Sequence, residues 1–301
     1  MTTIATETPQ TRQRKRAKAW QAFFQALPLI LPFTLVYVLF LIYPSLRAVQ
    51  LSLTNADLGG IGKYIGLENY RKLFADPLFG TSLVNTLYFI LLTVVPNTLL
   101  AFAFALMVNR LKRAKKFVLA AFFLPYVLPV SVVTNLWIWL LDQSFGLINI
   151  VTGLSLSWFQ DPTYSMPAVA FVTIWWTIGF NILLFLAALQ SIPREYFEAA
   201  ALDGANDVQV FRFITWPSMW STTSLVLLLQ LIAQFKIFDQ IYLLTGGGPY
   251  DKTLVTLLYL YRKGFQEQQG GYASAIGILL LIIIFAASLL QERFLGRGRS
   301  E

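Results

Sequence analysis

Apolar residues collect into six long runs along the chain, separated by short polar or charged stretches. The runs cover about Phe23 to Tyr43, Ser82 to Val108, Phe117 to Leu141, Pro167 to Gln190, Ser218 to Leu244 and Tyr272 to Leu290. Each is close to the roughly 20 residues a helix needs to cross a hydrocarbon core about 30 Å thick. Backbone groups in lipid must find partners within their own segment, and the runs lack the in-and-out alternation of membrane strands, so each predicts a helix. Pro28, Pro32, Pro96, Pro125 and Pro129 fall inside or at the ends of these runs, where they should kink or break them. The first run follows "RQRKRAK" but is too long for a signal peptide. "YPSLRAVQ" after it offers no small-residue cleavage site, so the run reads as a retained anchor. The expected organisation is a basic tail over 1–22, an all-α polytopic membrane domain of six transmembrane helices over 23–290, and a second short tail over 291–301.

Composition narrows the chemistry. The chain has no cysteine and no histidine, which removes disulfides, thiolate metal sites, Ser-His and Cys-His catalysis and the commonest transition-metal ligand. No catalytic residue and no metal site is expected. The net charge of +8 would suit nucleic acid, but the basic residues stand beside the apolar runs, where they act as topology determinants facing anionic lipid. With the amino terminus in the cytoplasm, fifteen of the 23 Lys and Arg residues fall on inside segments and seven outside, leaving Lys236 within a run. That asymmetry places both termini inside.

It also places "EYFEAAALDGANDVQVFRFITWP", Glu195 to Pro217, in the cytoplasm. Pro193 can open a helix, Glu195 and Glu198 complement the dipole of its first turns, and "EYFEAAAL" is rich in helix formers. Gly204 supplies a turn, Asn206 or Asp207 can cap a second short helix through "VQVFRF", and Pro217 closes it ahead of the next span. Tyr196, Phe197, Ala200, Phe211 and Phe213 are the residues expected to dock on the chain's own helices. The plain reading is an interfacial amphipathic loop.

The spacing Glu198-Ala199-Ala200, Gly204, Ile214, Trp216-Pro217 resembles the EAA loop of permease subunits in binding-protein-dependent ABC importers, with Trp216 standing where the family usually has Leu. "GLENYRKLF", "LPYVLPVSVVTNLWIWLLDQSFGLIN" and "FDQIYLLTGGGP" resemble the carbohydrate-uptake branch. The resemblance implies the type I importer permease fold with cytoplasmic coupling helices, in a bacterial or archaeal plasma membrane. It implies a homologous second permease subunit, two ATPase subunits, an extracytoplasmic solute-binding protein and a carbohydrate or related polyol-type substrate. No cofactor is expected on this chain. No G-x-x-x-x-G-K-[ST] loop is present, so Mg-ATP would be held by the ATPase partners. The family's coupling role falls on Glu198, with Ala199, Ala200 and Gly204 making room and Asp203 contributing.

Sugars need uncharged hydrogen-bonding groups and aromatic faces. At 100° per residue, Gln230, Gln234, Ile237 and Ile241 share a face of the fifth helix, and two amides at hydrocarbon depth call for partners. By resemblance this helix lines the path, which gives Gln230, Gln234 and Ile237, with Phe180 and Asn181 of the fourth helix, as path residues. The rival reading of each amide is an interhelical bond. Lys236 and Asp239, three residues apart, read as a structural ion pair. As coupling groups they would instead suit a self-contained ion-coupled secondary transporter. "WIWL" and "IWW" read as packing anchors, and "TGGGP" as a flexible outer loop.

Overall fold

In a chain this apolar the backbone must close its hydrogen bonds locally, and the computed structural model, which describes residues 27–295, is built from helices with no strand among the described residues. The expected tail over 1–22, the first residues of the first run and the end of the second tail lie outside the described residues. Five helices are long and apolar enough to cross a membrane. They are α1 (Leu27–Ser52), α3 (Pro77–Arg110), α7 (Ser165–Ser191), α9 (Asp207–Phe235) and α12 (Gly270–Leu295). The shorter helices are α2 (Glu68–Ala75), α4 (Lys115–Val127), α5 (Val130–Leu140), α6 (Leu147–Thr152), α8 (Arg194–Leu202), α10 (Asp239–Leu244) and α11 (Thr256–Tyr261).

The third run breaks where its prolines predicted, and the fifth run departs most from the sequence reading. The third run is not one straight helix: α4 and α5 meet at 101°, and α4 alone is about 20 Å long, short of the hydrocarbon core. The break falls at Leu128-Pro129, where the proline has no N–H to continue the ladder, and the indole N–H of Trp176 donates to the freed carbonyl of Leu128 at 3.3 Å. The fifth run begins eleven residues early and ends at Phe235, so Lys236 is a helix cap and α10 is a separate helix.

Pro217 does not close a short helix either, because α9 runs through it. The five residues Phe211–Thr215 form a π turn just before Trp216-Pro217, widening the backbone where the ring would meet the preceding turn. Ser218 Oγ then donates to Ile214 O at 2.7 Å. The same device occurs in α1, where the π turn Val38–Ile42 precedes Tyr43-Pro44 and Ser45 Oγ donates to Leu41 O at 2.7 Å. There it carries the helix nine residues beyond the expected end at Tyr43. At the other end of the chain, α12 continues to Leu295, taking residues 291–295 out of the expected tail.

α3 and α7 form the central pair, with α9 packed against both. α4 lies so close on α7 that a Cβ at Gly179 would stand 2.0 Å from the carbonyl oxygen of Phe122, so only glycine permits this approach. Burial is divided between two apolar clusters. One holds Phe89, Val172, Ile237, Ile241, Leu258 and Ile276. The other, toward the α8 end, holds Ala105, Ile182, Phe185, Met219 and Val226. α1 leaves its first half exposed and touches the rest of the described chain mainly through α12.

The "TGGGP" segment is a knot of hydrogen bonds. Thr253, fully buried, shares a bond with Thr245 at 2.7 Å and donates to Gly248 O at 2.7 Å. Arg262 donates to Gly246 O and pairs with Asp251, both at 2.8 Å, and Asn85 of α3 donates to Asp251 O and Leu254 O. Asn85 is remote in sequence and Arg262 lies beyond the segment, which is why its glycines alone suggested flexibility.

Candidate functional site

Two surfaces stand out, one at each end of α9. At the end, α8 and the first turns of α9 form a helical hairpin. Asn206 caps α9 by a capping box, its side chain accepting from Gln209 N at 2.9 Å while the Gln209 side chain accepts from Asn206 N at 2.8 Å. Gly204, at φ +74°, makes the turn in the left-handed region that favours glycine. The hairpin is thinly held. Ala200 is buried and Phe197 half-buried against the α8-end cluster, and the ring of Phe211 meets those of Phe102 and Trp216. Trp216, at the position that departs from the EAA pattern, fills this corner by edge contact with Phe102 at 5.7 Å.

The remainder faces outward. Glu198, Ala199, Asp203 and Gly204 are all exposed, as are Tyr196 and Phe213, which were expected to dock. Leu202 is 90% exposed and Val208 72%. Two small residues, two carboxylates and two bare aliphatic side chains on one turn make a knob suited to a groove with basic groups in it.

Between the two apolar clusters lies a polar belt, to which each of the three central helices contributes at the same level. α3 supplies Asn97, which donates to Thr177 Oγ1 of α7 at 2.9 Å and accepts from Asn181 Nδ2 at 3.1 Å. Next to it, Thr98 accepts from Gln230 Nε2 of α9 at 2.9 Å. All four amide side chains of the belt, on Asn97, Asn181, Gln230 and Gln234, are buried. Their satisfaction differs. Asn181 spends its donor on the interhelical bond to Asn97. Gln230 spends its donor on Thr98, while its Oε1 is buried with no partner among the described residues. Gln234 makes no side-chain hydrogen bond to a described residue. Phe180 is half-buried and stacks on Tyr126 of α4, centroids 5.1 Å apart and planes 15° apart.

Other sequence-predicted residues go elsewhere. Ile237 and Ile241 leave the glutamine face because α9 stops at Phe235, and both are buried in the far apolar cluster. Lys236 and Asp239 are exposed, stand on either side of that break and form no ion pair within 4 Å, because the helical spacing that would bring them together is absent. Asn97 and Thr98 were missed, although an amide directly after Pro96 in an apolar run carries the same signal as Gln230.

Also missed was Asp76, the N-cap of α3. Its Oδ1 accepts from Leu78 N, and its Oδ2 accepts from the hydroxyls of Tyr259 of α11 and Tyr272 of α12. Burial alone would raise the carboxyl, but these bonds hold it below its ordinary value, and burial together with the bond to Asp76 raises Tyr259. One carboxylate thus ties three elements at the end opposite the hairpin.

The family model of the binding-protein-dependent transport system inner membrane component matches residues 97–299. A probable ABC transporter permease protein of Bacillus subtilis, YurN, is 33% identical over 89% of this chain and 94% of its own length. The sn-glycerol-3-phosphate transport system permease protein UgpA of Pectobacterium atrosepticum is 33% identical over 89% and 93%. The sulfoquinovosyl glycerol transport system permease protein SmoG of Agrobacterium fabrum is 29% identical over 90% of each. Among solved structures, a bacterial ABC transporter importing the acidic polysaccharide alginate shares the fold, with a TM-score of 0.82 at 24% identity over 93% of this chain and 99% of that one.

Proposed function

This chain belongs to the family of binding-protein-dependent transport system inner membrane components, and on that premise we propose that it is the permease subunit of an ATP-driven importer of carbohydrates or related polyol-type solutes. It pairs with a homologous second permease subunit to complete the pathway. Two ATPase subunits, which hold Mg-ATP, drive it, and an extracytoplasmic binding protein loads it. Both termini lie in the cytoplasm of a bacterial or archaeal cell. The single observation that carries this reading is the continuity of α9. One helix runs from the exposed hairpin to the polar belt, so that Asp207 and Gln234 are ends of one rod about 40 Å long. A groove that grips the hairpin and shifts on ATP binding therefore moves Gln230 and Gln234 with it. Glu198 and Asp203 supply the charged contacts on the ATPase, and Ala199 and Gly204 allow the close approach, while Ala200, expected to share that role, is buried and faces the chain's own helices.

The belt presents amides and hydroxyls and no charge, which suits a neutral polyhydroxylated solute. Gln230 Oε1 is a buried acceptor without a partner among the described residues, and a solute hydroxyl satisfies it, without covalent chemistry, once the central helices part. Lys236 and Asp239, on which an ion-coupled mechanism would depend, are exposed and off the helix, so nothing in their placement favours that alternative.

The test is coupling. Glu198→Ala should weaken the ATPase's hold about ten-fold or more by removing a charge-assisted bond, and Gly204→Val should do so by forcing a branched side chain into a left-handed turn. Both variants should insert normally and lose uptake, with residual ATP hydrolysis responding less to loaded binding protein. Wild-type uptake and ATPase retention in both would reduce the hairpin to an interfacial loop.

A further inference from the structure

The loops between α5 and α7, at the end opposite the hairpin, form an open polar pocket of about 260 Å³. One wall is the turn after α5, Asp142 to Ser144, and the other is Ser157 to Gln160. The walls are fastened together by a residue behind them. Asn149, 4% exposed, donates to the carbonyls of Asp142 at 3.0 Å and Leu156 at 2.9 Å, and its Oδ1 accepts the indole N–H of Trp158 at 2.9 Å. With its N–H occupied and its edge against Tyr164, the half-buried indole is held beside the pocket in one orientation. Around it converge polar groups that the fold does not use. Among the described residues, the amides of Gln143 and Gln160 and the hydroxyls of Ser144 and Ser157 have no side-chain partner. Asp142 engages only Oδ1, on Ser144 N and Phe145 N, and leaves Oδ2 free.

We infer that this pocket is a second solute subsite, distinct from the belt, that takes a single neutral sugar ring or a short polyol; the inference rests on the carbohydrate reading above. Unspent amides and hydroxyls match a ligand rich in hydroxyl donors and acceptors, and the aromatic rings of Trp158 and Phe159 in the lining suit its C–H bonds. The volume lies just under the roughly 300–1,000 Å³ of drug-sized ligand sites, which limits the occupant to about one ring. Walls fastened through Asn149 leave only the glutamine side chains to be ordered on binding. The pocket stands beside the end of α7 at which the helix starts, and Asn181 of the belt lies about 24 Å further along that helix.

The test uses the assembled transporter in nanodiscs with methyl α-D-glucopyranoside and glycerol as probes, read by saturation-transfer NMR. The glucoside's ring protons should receive saturation, and binding should fall about ten-fold for each hydrogen bond lost in Gln143→Leu/Gln160→Leu. These exposed, unbonded side chains can be changed without unfolding the loops. Trp158→Phe should keep a ring face, lose the anchor to Asn149 and give an intermediate signal. Binding-protein-dependent carbohydrate uptake is measured on the same preparations. Failure of the wild-type complex to import any carbohydrate overturns the transport reading and this one with it. Import by wild type, with probe binding either absent or unchanged in the double variant, overturns the subsite alone.

Discussion

The bond between Asn97 and Asn181 makes a quantitative test of the belt. Asn97 is fully buried and Asn181 4% exposed, so neither can turn to water when its partner is removed. Asn97→Leu keeps a similar volume and strands the Asn181 amide, at a cost of about 1 to 3 kcal/mol. The bond itself is worth less. Interhelical hydrogen bonds in membranes contribute about 0.6 kcal/mol on average and up to about 1.7. The double variant Asn97→Leu/Asn181→Leu strands nothing, since Thr177 keeps its own bond to Thr173 O at 2.7 Å. It should therefore cost less than the sum of the single variants by about 1 kcal/mol or more. Unfolding free energies of the four proteins in bicelles close the cycle. Additivity within about 0.3 to 0.5 kcal/mol would mean that the two amides do not meet, and the belt as described would fall.

Gln234→Leu should lower uptake while complex assembly and basal ATP hydrolysis persist; failure of assembly would make this glutamine a packing residue. Asp76, with its carboxyl held below the ordinary value, should stabilise the fold at neutral pH and lose that contribution as pH falls through about 4 and below. Thermal stability followed from pH 6 to 3 should show the loss in wild type, and Tyr259→Phe/Tyr272→Phe should flatten it. For orientation, a cysteine at Gln209 should be labelled only from the cytoplasmic side. One at Tyr250, 87% exposed beside the Thr245–Thr253 knot, should react from outside, and labelling of position 209 in intact cells would reverse the topology.

What was legible in the sequence was what is fixed locally. Runs of apolar residues gave four spans to within a few residues at most of their described ends, because length against bilayer thickness leaves little choice. The hairpin was legible because its cap, turn and helix formers lie within a dozen residues of one another. Direction was not legible. Hydropathy counts α4 and α5 as one run, and although the prolines announce a break, its 101° corner is set by Pro129 together with Trp176, 47 residues away. The face shared by Gln230 and Ile237 was extrapolated through a helix that stops at Phe235, and the charges at Lys236 and Asp239 were the available sign that it would. Likewise the "TGGGP" knot depends on Asn85 and Arg262, which no local window contains.

The π turn before Pro217 has a geometric consequence for the hairpin. A π turn takes one residue more than an α turn, and one residue is about 100° of rotation about the helix axis. The hairpin therefore stands about a quarter-turn in azimuth from where the periodicity of Trp216–Phe235 would aim it. The angle between the face that bears Glu198 and the face that bears Gln230 is thus a phase, kept by the number of residues between Phe211 and Thr215. Deleting one of them would leave every side chain of knob and belt in place and turn one surface away from the other.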